Sequence, residues 1–203
     1  AYLETARQRN IDYIVALRGD PPQGERLFRP VAGGFRYANE LVEMIRNEFP
    51  QFSIAVAGYP EKHLEAPSKD VDLENLKRKV DTGAEVVITQ LFYENDAFFE
   101  FRERYERMGI RVPLIPGILP ITNLRQVERI TSLCGATLPP DMVSALRSCD
   151  DEKEQLHVGI EQAIRQVQEL IDVGVPGLHF YVLNKSSATG AVLQNVHLNS
   201  RSV

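Results

Sequence analysis

Three polar residues on one predicted helix have a spacing that suits ligand binding. Asp72, Asn75 and Lys79 lie at positions i, i+3 and i+7, which places them within about 60° of arc on a helix. An acid, an amide and a cation on one stripe can bind the ribose, the base edge and the phosphate of a nucleotide. The same pattern is also typical of a solvated face with ion pairs, and by itself it favours that simpler interpretation.

A second group of charges follows the first apolar run of the chain. The stretch IDYIVALRGDPP, residues 11–22, ends its apolar part on Arg18, Gly19 and Asp20 and continues with two prolines. Proline disfavours helix at the residue before it, so Asp20 would be held extended at the end of a strand and aimed at a ligand. A turn aspartate beside a surface arginine is an equally good interpretation of this stretch alone.

Further ligand-binding candidates follow the later apolar runs. Tyr59 could stack on a ring or hydrogen-bond it, and His63 could meet a phosphate. Gln90 ends the run VVITQLFY, where its amide must bond either the neighbouring backbone or a ligand. Gln126 lies on the first turn of the helix predicted after PGILP, where it either faces the same cavity or lies on the surface.

The elements that must position these residues alternate along the chain. Short, continuous apolar runs rich in Val, Ile, Phe and Tyr predict strands buried on both faces of a parallel sheet. These runs cover residues 11–17, 52–59, 85–92, 112–119 and 177–183. Helical patterns lie between and after them, at residues 35–49, 72–84, 96–109, 122–135, 140–147, 152–173 and 186–196.

This alternation predicts an α/β fold with parallel strands. A doubly wound open sheet and a (β/α) barrel both fit, but the loop RGDPPQG lacks the glycine fingerprint of a dinucleotide-binding fold. Polar residues at the ends of several runs favour a barrel, which assembles its chemistry there. We therefore predict a single, partial domain over residues 1–203, of the (β/α)8 TIM-barrel class, with about five of its eight βα units.

Composition narrows the class of protein. The chain has 203 residues and a net charge of −5, so nucleic acid is not an expected partner. No run is long and apolar enough to span a membrane, and residues 1–10 lack a signal-peptide pattern, so we expect a cytoplasmic protein. Cys134 and Cys149 are far apart and no cluster has metal-ligand spacing, which predicts free thiols and no metal site.

Several stretches, in order along nearly the whole chain, resemble one family. They are IVALRGDPP, VAGYPEKHLEA with DLENLKRKVDTGA, ITQLFY, IPGILPITN and HFYVLNKS, and they are similar to methylenetetrahydrofolate reductase of the bacterial flavoprotein type. The resemblance implies a (β/α)8 barrel that binds FAD at the carboxyl ends of its strands. It also implies reduction of 5,10-methylenetetrahydrofolate to 5-methyltetrahydrofolate, with electrons passing from NAD(P)H through the flavin.

The resemblance also implies roles for individual residues. FAD contacts would come from Arg18, Gly19, Asp20, Ala38, Tyr59, His63, Ala66, Asp72, Asn75, Arg78 and Lys79. Folate contacts would come from Asp20, Gln90, Gln126 and Lys185. Asp20 would be the catalytic residue among them, since it would hydrogen-bond the pterin and tune the flavin.

Two departures from the family pattern stand out. Lys185 occupies a position where the family usually has arginine, and lysine keeps the charge but loses the planar fork that binds a carboxylate twice. The apolar runs match the family's fourth to eighth strands, and the chain opens on what resembles the end of a helix. We therefore expect a fragment that lacks the strand whose glutamate is thought to act as the general acid. Unpaired sheet edges would favour a homo-oligomer or a chain unstable alone.

Three hypotheses for function follow. The first is a folate-reducing flavoenzyme that uses FAD and NAD(P)H in one-carbon metabolism. The second is a non-catalytic module that binds FAD or another nucleotide without turnover. The third is a structural α/β protein with a degraded site, which the retained polar set disfavours because packing does not require it.

Overall fold

The computed structural model describes residues 1–19 and 28–198 of the chain. Within them, the strands are β1 (Tyr13–Ala16), β2 (Ser53–Gly58), β3 (Val86–Leu91), β4 (Leu114–Ile118) and β5 (His179–Phe180). The helices are α1 (Tyr2–Gln8), α2 (Ala38–Glu48), α3 (Lys69–Asp81), α4 (Asn95–Arg107), α5 (Leu124–Cys134), α6 (Pro140–Arg147), α7 (Glu152–Asp172) and α8 (Ser187–Asn195). Asp20, the predicted catalytic residue, lies outside the described residues.

The strands form one parallel sheet in the order β1-β2-β3-β4-β5. A doubly wound sheet reverses its strand order at a switch point, and the described sheet has no such reversal. At least one helix lies between each strand and the next along the chain. The sheet curls as a half-barrel. The predicted α/β class with parallel strands is confirmed.

Local signals explain where the helices begin. Ser68 Oγ accepts a hydrogen bond from Val71 N at 3.2 Å, so α3 starts at Lys69, before the predicted residue 72. Asn123 Oδ1 accepts from Gln126 N at 2.8 Å at the start of α5. These side chains satisfy backbone donors that a helix leaves unpaired at its first turn.

The last strand is much shorter than the predicted run of residues 177–183. Only Gly117↔His179 and Ile118↔Phe180 pair in the ladder. Leu183 and Asn184 then adopt left-handed backbone angles, with φ of 46° and 61°. These angles take the chain out of the extended conformation that a strand needs, so the chain turns away within three residues of the last ladder pair.

The sheet buries one face more deeply than the other. The residues of β2 and β3 alternate between buried and half-buried along each strand, because the helices pack on the side that carries Ile54, Val56 and Val87. On β1, Tyr13 and Val15 are 76% and 51% exposed. The expectation of strands buried on both faces is therefore wrong for β1, β2 and β3, whereas β4 has buried residues on both faces.

The ladder between β3 and β4 is irregular opposite Pro116. Ile88 pairs with Ile115 and Leu91 pairs with Gly117, so β3 has one more residue than β4 in this interval. Proline has no N–H to donate to a neighbouring strand, and it is tolerated in sheets mainly at such bulges. The irregularity lies beside Gln90, one of the predicted substrate-binding residues.

Helices α5 and α6 cover a second, smaller apolar cluster beside the carboxyl ends of β3 and β4. Its buried members are Leu91, Tyr93, Leu119, Ile121, Val127 and Leu146. Gly159 of α7 lies so close to this region that a Cβ there would be 2.1 Å from the Ile121 carbonyl oxygen. The cluster therefore fixes α5 over the strand ends.

Two helix glycines should respond to alanine in opposite directions. Gly159→Ala should lower the free energy of unfolding by about 1–3 kcal/mol, because the added methyl group meets backbone that cannot move aside easily. Gly190, in α8, has nothing within 4 Å of its Cβ position, so Gly190→Ala should raise that free energy by about 0.5–1 kcal/mol. Urea unfolding of both variants measures the difference, and equal effects would contradict the close packing of α7.

Candidate functional site

An ion pair joins the end of β1 to the loop after β2. Arg18 donates from both terminal nitrogens to the two carboxylate oxygens of Glu65, each at 2.7 Å. The Arg18 guanidinium also lies 4.8 Å from the centre of the Phe28 ring. The hydrogen bond from Arg18 lowers the pKa of Glu65. This paired fork holds the arginine side chain at the carboxyl edge of the sheet.

The loop after β2 folds around His63. The rings of Tyr59 and His63 meet edge to face, with centroids 4.7 Å apart. The His63 backbone N–H donates to Asp72 Oδ2 at 2.9 Å, and the Glu65 N–H donates to His63 Nδ1 at 3.1 Å. Burial lowers the pKa of His63, although the nearby carboxylates of Asp72 and Glu65 act to raise it. Because Nδ1 accepts, the neutral ring carries its proton on Nε2 and can donate it.

Lys79 reaches from α3 to the end of β2. Its Nζ donates to the Ala57 carbonyl oxygen at 2.6 Å. Burial lowers the pKa of Lys79 to about 8, against the opposing effect of the Asp72 carboxylate. Arg18, Asp72 and Lys79 all act electrostatically on His63, so the structure brings these predicted residues together.

The other predicted FAD residues lie on α3, on the loop after β2, at the start of α2 and after β1. Asn75 and Arg78 are exposed on α3, where Arg78 Nη1 donates to Asn75 Oδ1 at 3.1 Å. Ala66 is buried, and its carbonyl oxygen accepts from Lys62 Nζ at 2.6 Å. Ala38 is the first residue of α2. Gly19 is exposed directly after Arg18.

Two of the predicted folate residues share a cleft on the other side of the site. Gln126 and Lys185 both line it, together with Thr122, Tyr181 and mainly apolar neighbours: Tyr93, Leu119, Pro120, Ile121, Val127, Ile130, Val182, Leu183, Ala188 and Thr189. The Thr122 hydroxyl donates to Gln126 Oε1, and Lys185 is exposed at the rim. Apolar walls with a few converging polar groups are the usual composition of a ligand site.

Gln90 lies on β3, between these two halves of the site. The backbone N–H of Leu91 donates to Gln90 Oε1 at 2.9 Å, so the oxygen bonds neighbouring backbone, one of the two alternatives left open by the sequence. Within residues 1–19 and 28–198, Gln90 Nε2 has no partner. The amide nitrogen is therefore available to a ligand.

A further contact links the two halves. Thr137, which follows α5, donates its backbone N–H to both carboxylate oxygens of Glu61, at 2.9 and 3.0 Å. Glu61 belongs to the loop that carries His63. The β2 loop and the α5 region therefore form one connected surface beside the strand ends.

Sequence reasoning missed several residues that build the site. Glu65 holds Arg18 from 47 positions away, and Tyr181 bonds the Thr89 carbonyl oxygen across 92 positions. Spacing along one helix or strand contains no signal for such partners. Glu61, Thr89 and Tyr181 were not among the predicted site residues for the same reason.

The fold and the site define an α/β protein whose polar groups meet at the carboxyl ends of parallel strands. The family model described as methylenetetrahydrofolate reductase matches residues 1–197. The chain therefore belongs to the methylenetetrahydrofolate reductase family, as the sequence motifs predicted.

Curated relatives agree with this assignment. Methylenetetrahydrofolate reductase (NADH) 1 of Arabidopsis thaliana is 38% identical over 207 residues, covering 97% of this chain and 35% of that protein. The 5,10-methylenetetrahydrofolate reductase of Escherichia coli K12 is 40% identical over 183 residues, covering 90% of this chain and 60% of that protein. The chain thus spans about a third of the plant relative's length and three fifths of the bacterial one's.

A solved structure shares the fold. An uncharacterized protein from Clostridium thermocellum, which binds two copies of 5-methyl-5,6,7,8-tetrahydrofolic acid, superposes with a TM-score of 0.56 at 17% identity. The match covers 85% of this chain and 63% of that one. In the described part of this chain, no helix is long and apolar enough to cross a membrane.

The lowered pKa of Lys79 predicts a change of stability at alkaline pH. The ordinary value is 10.5 and the folded value is about 8, so between these pH values the unfolded chain binds more protons than the folded chain. The free energy of unfolding contributed by Lys79 should therefore rise with pH across this window. Urea unfolding at pH 8 and pH 10 measures the rise.

Two variants isolate this effect. Lys79→Met should remove the contribution, so its stability should rise less between pH 8 and pH 10 than that of the unsubstituted chain. Lys77→Met, on the same helix where Lys77 pairs with Asp81, should retain it. An identical pH slope for both variants would contradict the desolvation of Lys79.

Proposed function

We propose that this chain is part of a flavin-dependent methylenetetrahydrofolate reductase. The reaction would reduce 5,10-methylenetetrahydrofolate to 5-methyltetrahydrofolate with NAD(P)H as electron donor and FAD as cofactor, in one-carbon metabolism and methionine biosynthesis. The observation that carries the proposal is the match of the family model to residues 1–197. The site geometry supports it, because its two halves suit a nucleotide cofactor and a second, partly apolar ligand.

The β1–β2 half suits FAD. Arg18, Lys79 and the Nε2–H of neutral His63 offer donors for a diphosphate, and the Tyr59 ring offers a surface for an aromatic group. The exposed pair Asn75 and Arg78 lies further along α3, where it would meet the sugar and adenine. Bound FAD would supply a hydride carrier between NAD(P)H and the folate.

The remaining predicted cofactor contacts fit the same placement. Ala38, Ala66 and Gly19 have small side chains or none, so they would let the cofactor approach the backbone closely. Asp72 would help to bind the sugar portion of FAD. It also holds the His63 loop, because its carboxylate accepts a hydrogen bond from the His63 N–H. We keep the role predicted for Asp20 at the flavin and the pterin as part of the proposal.

The β4–β5 half suits a folate. Gln126 and Lys185 lie at a cleft with apolar walls, and this composition would suit an aryl ring that carries a carboxylate. Lys185 would attract that carboxylate as a point charge, without the two parallel hydrogen bonds of an arginine. Gln90 Nε2 would donate to the pterin from the strand between the two halves.

The proposal extends to architecture and setting. The curled sheet would be about five of the eight units of a (β/α)8 barrel, whose interior includes the half-exposed side of β1. β1 is an edge strand of the described sheet, and an unpaired edge favours association, so we propose a homo-oligomer. We also propose a cytoplasmic location.

Titration with FAD, followed by flavin fluorescence, tests the cofactor half. The chain should bind FAD saturably, and Lys79→Met should weaken binding by about 10-fold or more because a charged hydrogen bond to phosphate is lost. Lys77→Met removes a lysine from the same helix and should leave the affinity unchanged. No binding by a folded sample would overturn the proposal for this chain.

Turnover tests the reaction itself. Oxidation of NADH or NADPH that depends on both FAD and 5,10-methylenetetrahydrofolate should occur in the protein that contains this chain. Saturable FAD binding without any such turnover would instead support the second hypothesis, a nucleotide-binding module.

A further inference from the structure

Thr89 pairs with Gly58 of β2, but the irregular pairing of β3 with β4 leaves it without an ordinary partner on the β4 side. Because Pro116 has no N–H, β4 cannot donate there in the usual ladder pattern. The Gly117 N–H donates instead to the Thr89 side-chain oxygen at 2.9 Å. Thr89 is completely buried, so its carbonyl oxygen needs a partner inside the protein.

Tyr181 supplies that partner from the far side of β4. Its hydroxyl donates to the Thr89 carbonyl oxygen at 2.8 Å, so a side chain that follows β5 reaches over β4 to β3. Burial raises the pKa of Tyr181 to about 12, so the hydroxyl keeps its proton and remains a donor.

Gly117 makes this crossing possible. A Cβ at residue 117 would lie 2.2 Å from the Thr89 carbonyl oxygen and 2.7 Å from Tyr181 Cε2. Any larger residue would therefore push apart the two groups that the hydrogen bond joins. Glycine is needed here for close approach rather than for a special backbone angle.

The Thr89 carbonyl belongs to the peptide bond that leads into Gln90. Holding this carbonyl fixes the direction of the Gln90 backbone N–H and the position of Gln90 Cα, since both belong to the same planar peptide group. The next N–H, of Leu91, donates to Gln90 Oε1 and so holds the amide oxygen against the backbone, while Nε2 has no partner among the described residues. The bulge thus orients Gln90 as a hydrogen-bond donor.

We propose that Tyr181 is a positioning residue for Gln90: its hydroxyl fixes the Thr89 peptide so that Gln90 Nε2 donates to an acceptor atom of the substrate. The acceptor would be a ring carbonyl oxygen or an unprotonated ring nitrogen. This inference rests on the proposed function, in which Gln90 contacts the folate. Although its ring lines the cleft, Tyr181 acts through Gln90, because its one O–H is donated to the Thr89 carbonyl oxygen.

The chain contains a matched control for the loss of this hydroxyl. Tyr105 is buried where Tyr181 is half-buried, and its hydroxyl likewise donates to a backbone carbonyl oxygen, that of Val112, at 2.8 Å. Val112 precedes β4, at the amino end of the strand and away from the proposed site. Tyr181→Phe and Tyr105→Phe therefore remove the same kind of bond and keep both rings.

Calorimetry of 5-methyltetrahydrofolate binding to the FAD-loaded chain distinguishes a positioning role of Tyr181 from a role in the stability of the fold alone. Both variants should melt a few degrees lower, about 2–4 °C. Only Tyr181→Phe should weaken folate binding, by about 10-fold, with FAD affinity unchanged. Gln90→Ala should weaken binding in the unsubstituted chain but have little further effect in Tyr181→Phe, because the two residues act as one unit.

The outcomes distinguish this inference from the function on which it rests. If the unsubstituted chain binds FAD but no folate, the proposed substrate is contradicted, and so is the positioning role of Tyr181 that depends on it. If folate binds and Tyr181→Phe behaves like Tyr105→Phe, or its effect adds fully to that of Gln90→Ala, the positioning role is overturned and the proposed function stands. Gly117→Ala disturbs the same link from β4 and should also weaken folate binding, which provides a second variant if Tyr181→Phe does not fold.

Discussion

The parallel direction of the strands is the constraint on which the site depends. Each strand is followed by helical structure that packs on one side of the sheet, so all carboxyl ends meet at one edge. Arg18, Tyr59 and Lys185 follow different strands and would be scattered in a fold with mixed directions. Burial of the helix-covered face therefore stabilises the fold and also assembles the chemistry at its edge.

Charge in the first half of the site is balanced against burial. His63 and Lys79 both have lowered pKa values because burial disfavours their charged forms, while Asp72 acts in the opposite direction on each. Arg18 is held by the Glu65 carboxylate through two hydrogen bonds. A dianionic ligand would favour the charged forms of both His63 and Lys79, so binding and protonation are expected to be coupled.

The β4–β5 half of the site depends instead on the irregular pairing of β3 with β4. Pro116 interrupts the ladder, Gly117 allows close approach, and the Tyr181 hydroxyl satisfies the buried Thr89 carbonyl oxygen. A regular strand pair would have satisfied these groups without side chains and would have left the Gln90 oxygen free as well. Bulges are known to redirect side chains near active sites, and here one leaves the amide nitrogen of Gln90 available.

Local patterns in the sequence determined the strands, the helices, the parallel α/β class and the stripe of Asp72, Asn75 and Lys79, because periodicity and capping act over a few residues. The motif order also determined the family. Only the tertiary structure decided which of these residues meet, since Arg18 pairs with Glu65 and Tyr181 with Thr89 over 47 and 92 positions. It also decided the short β5 and the incomplete burial of β1, because both depend on neighbours distant in the chain.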